Sequence, residues 1–189
     1  VDVIGLENYT KALTDETFLR AARNTAYFVL VGVPLTLTLG LAAAVALDRG
    51  ITKFRSAFRL GFYTPVVTSI VAVAVVWQFL LKTEFGLINT VLGWVGIPGP
   101  NWLGDPNWSM PALIMMASWR NFGTSMIIFL AGLQAVPWVL HEAAAIDGAS
   151  AWQRFRHITW PLLLPVTMVV TLFSVSQTFA DFQLVYVLT

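Results

Sequence analysis

The sequence has no cysteine and very little charge. Without cysteine there is neither a disulfide framework nor thiolate chemistry. Only 11% of the 189 residues are Asp, Glu, Lys or Arg, against about 25% in soluble domains, while 57% are hydrophobic. Lipid is the natural solvent for such a surface. The formal net charge is +1, so no basic face exists from which a nucleic acid could release counterions. The two histidines, His141 and His157, stand isolated, which argues against a histidine-based metal site. No G-x-x-x-x-G-K-[ST] run occurs, so the chain lacks the loop that cradles nucleotide phosphates. It begins at Val1 with no basic leader or cleavage signal, and is expected to be a portion of a longer protein.

What is present is a series of charge-free runs. Residues 1–23 are polar and of mixed charge, an extramembranous lead-in with a short helix expected over 14–23. No charge then appears between Arg23 and Asp48, roughly 24 residues, enough to cross a ~30 Å hydrocarbon core. Thr36, Gly40 and Ala44 recur there at every fourth position. This spacing gives either a small-residue packing face or simply the ordinary composition of a span. Pro34 is a candidate kink. Arg49, Lys53, Arg55 and Arg59 follow, and then a second charge-free run, 60–81. The positive-inside rule makes that basic link cytoplasmic. Phe54 and Phe58, four residues apart, either anchor an interfacial helix or merely flank charges that set topology.

Residues 82–109 are rich in Gly and Pro and carry Trp94, Trp102 and Trp108, which predicts an outer cap with one or two short helices. The third apolar segment, 110–140, is interrupted by Arg120. This cation either snorkels or pairs structurally, or it lines an aqueous path. Residues 158–180 form a fourth charge-free run that returns outward, and 181–189 begin the outer side. The fold class is all-α and polytopic, with four spans and both ends outside, an arrangement that suggests an absent first and last helix.

Residues 142–165, EAAAIDGASAWQRFRHITWPLLLP, form a polar insertion between apolar runs. Ala143, Ala144 and Ala145 offer a small-side-chain surface. Asp147-Gly148 is a turn dipeptide, Ser150-x-x-Gln153 reads as a capping box, and Pro161 and Pro165 mark entry to the next run. The order Glu142-Ala143-Ala144, Gly148, Ile158 and Trp160-Pro161 resembles the EAA loop of permease subunits of binding-protein-dependent ABC importers. Asp147, Ala149 and Phe155 also match that pattern, while Trp160 stands where Leu is usual. Gly5-Leu6-Glu7-Asn8-Tyr9, Asn24-Thr25, Phe54-Arg55, Pro65, Trp77, Ala131-Gly132-Leu133-Gln134 with Pro137, and Tyr186-Val187-Leu188-Thr189 extend the resemblance along nearly the whole chain. The similarity is to the maltose, trehalose and glycerol-3-phosphate group, and to the first of its two permeases.

The resemblance implies a type I importer permease domain over 1–189, six helices in the full protein, and a coupling loop at 137–161. That loop would insert into a cleft of a cytoplasmic ATPase, with a short helix from Pro137 to about Ile146. Glu142, Ala143, Ala144, Asp147, Gly148, Ala149, Phe155, Ile158 and Pro161 are the implied coupling residues. ATP and Mg would be bound by the ATPase and no cofactor by this chain, which would not itself be an enzyme. The implied partners are a second permease, expected to form a heterodimer, two ATPase subunits, an extracytoplasmic substrate-binding protein and membrane lipid. The implied location is a bacterial or archaeal cytoplasmic membrane. Candidates for the sugar pathway are Trp119, Arg120, Asn121, Ser174, Gln177, Phe179 and Gln183. A neutral sugar, such as a di- or oligosaccharide, is expected over a polyol phosphate, because Arg120 is the only cation within a span. An ion-coupled secondary carrier would call for buried ionisable groups and internal repeats, of which the chain offers little.

Overall fold

The computed structural model describes residues 6–50 and 54–180. All regular structure among them is helical: α1 (Glu7–Thr14), α2 (Glu16–Val45), α3 (Arg55–Val67), α4 (Ile70–Leu80), α5 (Leu87–Trp94), α6 (Pro106–Gln134), α7 (Trp138–Ile146), α8 (Ala151–Arg154) and α9 (Trp160–Ala180). Two π-helical turns, Ala46–Gly50 and Phe155–Thr159, extend α2 and join α8 to α9.

The lead-in differs from expectation. The helix expected over 14–23 is the start of α2 itself, because the break falls at Asp15, whose carboxylate accepts from the Thr17 amide at 2.8 Å. Nothing interrupts the chain at Arg23, so α2 runs 30 residues, roughly 45 Å at 1.5 Å per residue, and overshoots a ~30 Å core. Its buried side is Gly32, Val33, Thr36, Gly40 and Ala44, so the four-residue repeat is a packing face. That face lies on α6, and α9 packs against both helices.

α6 is the spine. The share of its apolar window buried within the chain is 56%, against 28% for α2 and 17% for α8–α9. Near its start, Ala112, Leu113, Met116 and Ala117 pack with Val73, Ala74, Trp77 and Leu81 from α4 and its end. Near its finish, Met126, Phe129, Leu130 and Leu133 pack with Ala44 and Leu47 from the foot of α2 and with Leu163 and Val170 from α9.

Among the described residues, three helices are long and apolar enough to cross a membrane. The run 60–81, expected as one span, is a bent pair: α3 and α4 meet at 98°. Thr68 and Ser69 are extended at the break, and Pro65 cannot donate to the carbonyl one turn earlier. The Thr64 and Thr68 hydroxyls bond back to the Leu60 and Thr64 carbonyls, each at 2.8 Å, and the second of these serves a carbonyl in the last turn before the break. The described residues therefore supply four crossings only if this pair counts as one.

The Gly/Pro-rich segment forms a cap containing α5, as expected. Asn89 holds it together, accepting from the Trp102 indole at 2.6 Å and donating to the Thr83 and Pro100 carbonyls at 3.2 and 3.1 Å. Trp102 and Trp108 pack edge to face at 5.3 Å. α6 then starts with Asp105 as its N-cap and Pro106 in its first turn, where the missing N–H costs nothing.

Candidate functional site: a projecting helix loop and a polar cavity

Local chemistry accounts for most of the 137–161 loop. Pro137 is the N-cap residue of α7, which covers Trp138–Ile146, close to the span that the resemblance implies. The helix stops in a Schellman turn. The Ala149 amide donates to the Ala144 carbonyl at 2.8 Å, and the Gly148 amide donates to Ala145 at 3.1 Å. The turn requires a left-handed residue, and Gly148 supplies it at φ 79°. The expected capping box then forms: Ser150 Oγ accepts from the Gln153 amide at 3.3 Å, while Gln153 Oε1 accepts from the Ser150 amide at 2.7 Å. Pro161 has no N–H to donate, and just before it the backbone runs as a π-helical turn in which the Trp160 amide donates to the Phe155 carbonyl.

The coupling candidates do not share one surface. Glu142 and Ala143 lie exposed on α7, together with Trp138, Val139 and Ile146; Ile146 is 87% exposed. Glu142 is held in place by the Trp138 indole, which donates to its carboxylate at 2.7 Å. Ala144, Asp147, Gly148, Ala149 and Ile158 instead line a concavity of about 380 Å³ with Gln153, Arg154 and His157. Phe155 stacks on Trp152 at 5.7 Å and approaches Trp160 at 6.4 Å, so it braces the loop internally. Pro161 is exposed at the start of α9.

One buried contact has no signature in the sequence. His141, read there as isolated, is 5% exposed beneath α7. The Arg49 guanidinium donates to its Nε2 at 3.1 Å and to the hydroxyl of fully buried Thr159 at 3.3 Å. Arg49 also pairs loosely with Asp48 at 3.8 Å. Burial pushes the His141 pKa below the usual 6.5, and Arg49 and Arg154 push the same way against a smaller opposing effect of Asp48. The available signal was weak: Trp138, His141 and Ala145 share one helix face by spacing alone.

The pathway candidates divide as well. Arg120, Asn121, Ser174 and Gln177 line one cavity of about 200 Å³ between α2, α6 and α9. Hydroxyl residues that the sequence reading passed over, including Thr36, Ser118 and Thr124, join them there. Arg120 donates to Asn121 Oδ1 at 3.2 Å, and its buried Nε has no partner among the described residues. Arg120 thus both lines this cavity and pairs with Asn121. Trp119 turns to the other side of α6, 5.7 Å from the Trp77 ring, and lines the crevice at the α3–α4 bend. Phe179 is 68% exposed and takes no part in the cavity. Gln183 and the rest of 181–189 lie outside the described residues, as do Gly5 and Lys53.

The sequence matches the family model described as binding-protein-dependent transport system inner membrane component over residues 32–189. It is 36% identical to the arabinooligosaccharides transport system permease protein of Bacillus subtilis (strain 168), covering 100% of this chain and 60% of the relative. It is 35% identical to the trehalose/maltose transport system permease protein of Thermococcus litoralis, covering 98% and 63%. The fold matches a bacterial ABC transporter involved in import of the acidic polysaccharide alginate, with TM-score 0.74 and 30% identity over 89% of this chain and 59% of that one. A second structure, the alginate transporter in complex with an alginate pentasaccharide-bound periplasmic protein, matches with TM-score 0.76 and 29% identity, covering 91% and 61%. The chain thus spans about three fifths of the length of these relatives.

Proposed function

Because the chain belongs to the family of binding-protein-dependent transport system inner membrane components, we propose that it is the transmembrane permease subunit of an ATP-driven carbohydrate importer. It contributes half of the translocation pathway and couples that pathway to a cytoplasmic ATPase through α7. One observation carries the coupling role. α7 presents Trp138, Val139, Glu142, Ala143 and Ile146 outward at the end of the helix bundle, an apolar and acidic face that the described residues leave uncovered. A partner of complementary shape with a basic group to meet Glu142 would bury that face. Such burial in one state and not the other is what lets ATP binding shift the equilibrium between inward- and outward-open forms. ATP and Mg belong to the ATPase in this scheme.

The cavity supports a sugar as cargo, since hydroxyl and amide groups dominate its polar lining. At about 200 Å³ it is below the ~300–1,000 Å³ of typical ligand sites. A second permease, facing it across the pathway as a heterodimer, would complete a site large enough for an oligosaccharide. An extracytoplasmic binding protein would deliver the sugar, and a bacterial or archaeal cytoplasmic membrane would house the assembly.

The test is sugar uptake and ATP hydrolysis in proteoliposomes holding the assembled transporter with its binding protein. Glu142→Lys reverses the charge on the docking face. Gly148→Val forces a β-branched residue to a positive φ, a strain of roughly 1–3 kcal/mol that tilts α7. Both variants are expected to insert normally and to lose most uptake per ATP hydrolysed. Wild-type uptake in both would sink the coupling role.

A further inference from the structure

The outward face of α7 explains how a partner is met, but not how its pull reaches the spans. Among the described residues of α7, His141 alone is buried. The helix packs thinly on the rest of the bundle, and its bulky side chains point away, Trp138 at 67%, Val139 at 68% and Ile146 at 87% exposure. Apart from its chain connections, α7 therefore holds to the bundle chiefly through His141. That residue meets Arg49 in the π-helical turn at the foot of α2, and the same guanidinium nitrogen reaches Thr159 in the turn that leads into α9.

The chemistry of this three-way contact is constrained. Arginine has no acceptor atom, so His141 Nε2 must carry a lone pair, which makes the ring neutral with its proton on Nδ1. Burial of the imidazole and the nearby Arg49 and Arg154 favour the same neutral form. The hydrogen bond is charge-assisted and part-buried, with Arg49 35% exposed and His141 5% exposed, so losing Arg49 leaves the buried imidazole nitrogen short of a donor.

We propose that Arg49 is a positioning residue for coupling: by fastening His141 and Thr159 it makes α7, the foot of α2 and the start of α9 move as one body. This rests on the reading of α7 as the ATPase-docking helix. Protonating His141 removes the acceptor and sets a new cation beside Arg49 and Arg154. Of the other titratable or charged groups nearby, Asp48 opposes that effect, Arg55 is engaged with the Asp48 carbonyl, and His157 contacts the Gln153 carbonyl. Because the His141 pKa lies below its ordinary 6.5, the contact is intact above that pH and fails as pH falls through the lower value.

The experiment uses the complete transporter, with partner permease, ATPases and binding protein, in proteoliposomes. The chain has no cysteine, so Ala145→Cys gives it a single thiol on α7 for cross-linking to the ATPase. Arg49→Ala and His141→Phe are expected to keep the cross-link and the ATPase rate while uptake per ATP falls roughly tenfold, the scale of one lost charge-assisted hydrogen bond. His141→Gln, whose amide oxygen accepts from the guanidinium, is expected to restore coupling and to abolish the loss of uptake below pH 6.5. No cross-link in the otherwise unaltered protein overturns the docking reading, and this proposal with it. A cross-link with wild-type uptake per ATP in both Arg49→Ala and His141→Phe overturns the positioning role alone. If those two variants fail to assemble, the pH profile of His141→Gln decides, and an unchanged acid loss overturns the proposal.

Discussion

A Cβ placed on Gly40 would stand 2.6 Å from Ser125 Cβ, 3.1 Å from the Met126 amide nitrogen and 3.2 Å from the Phe122 carbonyl. Two of those neighbours are backbone and cannot rotate away. Gly32, two turns earlier on the same face, would meet only side-chain atoms at 3.5 Å or more. Gly40→Ala is therefore expected to lower stability by about 1–3 kcal/mol, the cost of forcing extra volume into a close crossing, whereas Gly32→Ala changes it little. Thermal unfolding in detergent compares the two, and equal melting temperatures would remove the close-packing account. The stripe containing Gly40 was legible because a helix face repeats along the chain itself, and the structure only extends it to Gly32 and Val33. His141 was not legible for the opposite reason. Its partner lies 92 positions away, and Arg49 by composition is one more cation in a basic link. Of the pathway candidates, Asn121 reached the cavity while Trp119, two positions earlier, did not, because residues two apart on a helix face directions about 200° apart.

At the level of the element, the bend between α3 and α4 shows what hydropathy leaves out. Hydropathy counts apolar residues and carries no direction, so a 98° turn within an uncharged run passes unseen. Proline alone does not mark the break either, since Pro34 and Pro165 lie inside continuous helices. What fixes α4 in its direction is its burial on α6 through Val73, Ala74 and Trp77. Trp77 is 8% exposed and also meets the Trp119 ring. Trp77→Ala is expected to cost roughly 3–5 kcal/mol and to loosen α4, visible as a lower melting temperature and faster amide exchange confined to 70–81. Trp119→Ala, at a position 41% exposed, should cost clearly less; a larger loss there would mean that α4 is not held through Trp77. The 137–161 loop, by contrast, was legible almost residue by residue. Pro137, Gly148 and the Ser150–Gln153 pair act within their own turns, and such local chemistry needs no tertiary partner.

Across the whole molecule, charge and packing agree on polarity. The foot of α2, the end of α6 and the start of α9 converge in one apolar cluster, through Ala44 and Leu47, Leu133 and Leu163. Arg49, Arg55, Arg154 and Arg156 belong to segments that join at this end, whereas the tryptophan-rich cap lies near the start of α6 with the end of α4. The positive-inside rule then predicts that the end where Arg49, Arg55, Arg154 and Arg156 gather is cytoplasmic, the side from which an ATPase could reach α7. Because the chain is free of cysteine, single thiols can report this directly. Ile146→Cys on α7, Trp94→Cys on the cap and Leu172→Cys on α9 replace residues 87%, 78% and 73% exposed. A membrane-impermeant maleimide should label position 146 only in inverted vesicles and position 94 only in right-side-out ones. Position 172 should resist it in both, because its exposure is to lipid or to a partner helix. Adding the ATPase should then protect position 146 and leave position 94 unchanged. Labelling of 146 and 94 from the same side would overturn the polarity, and with it the access on which docking depends.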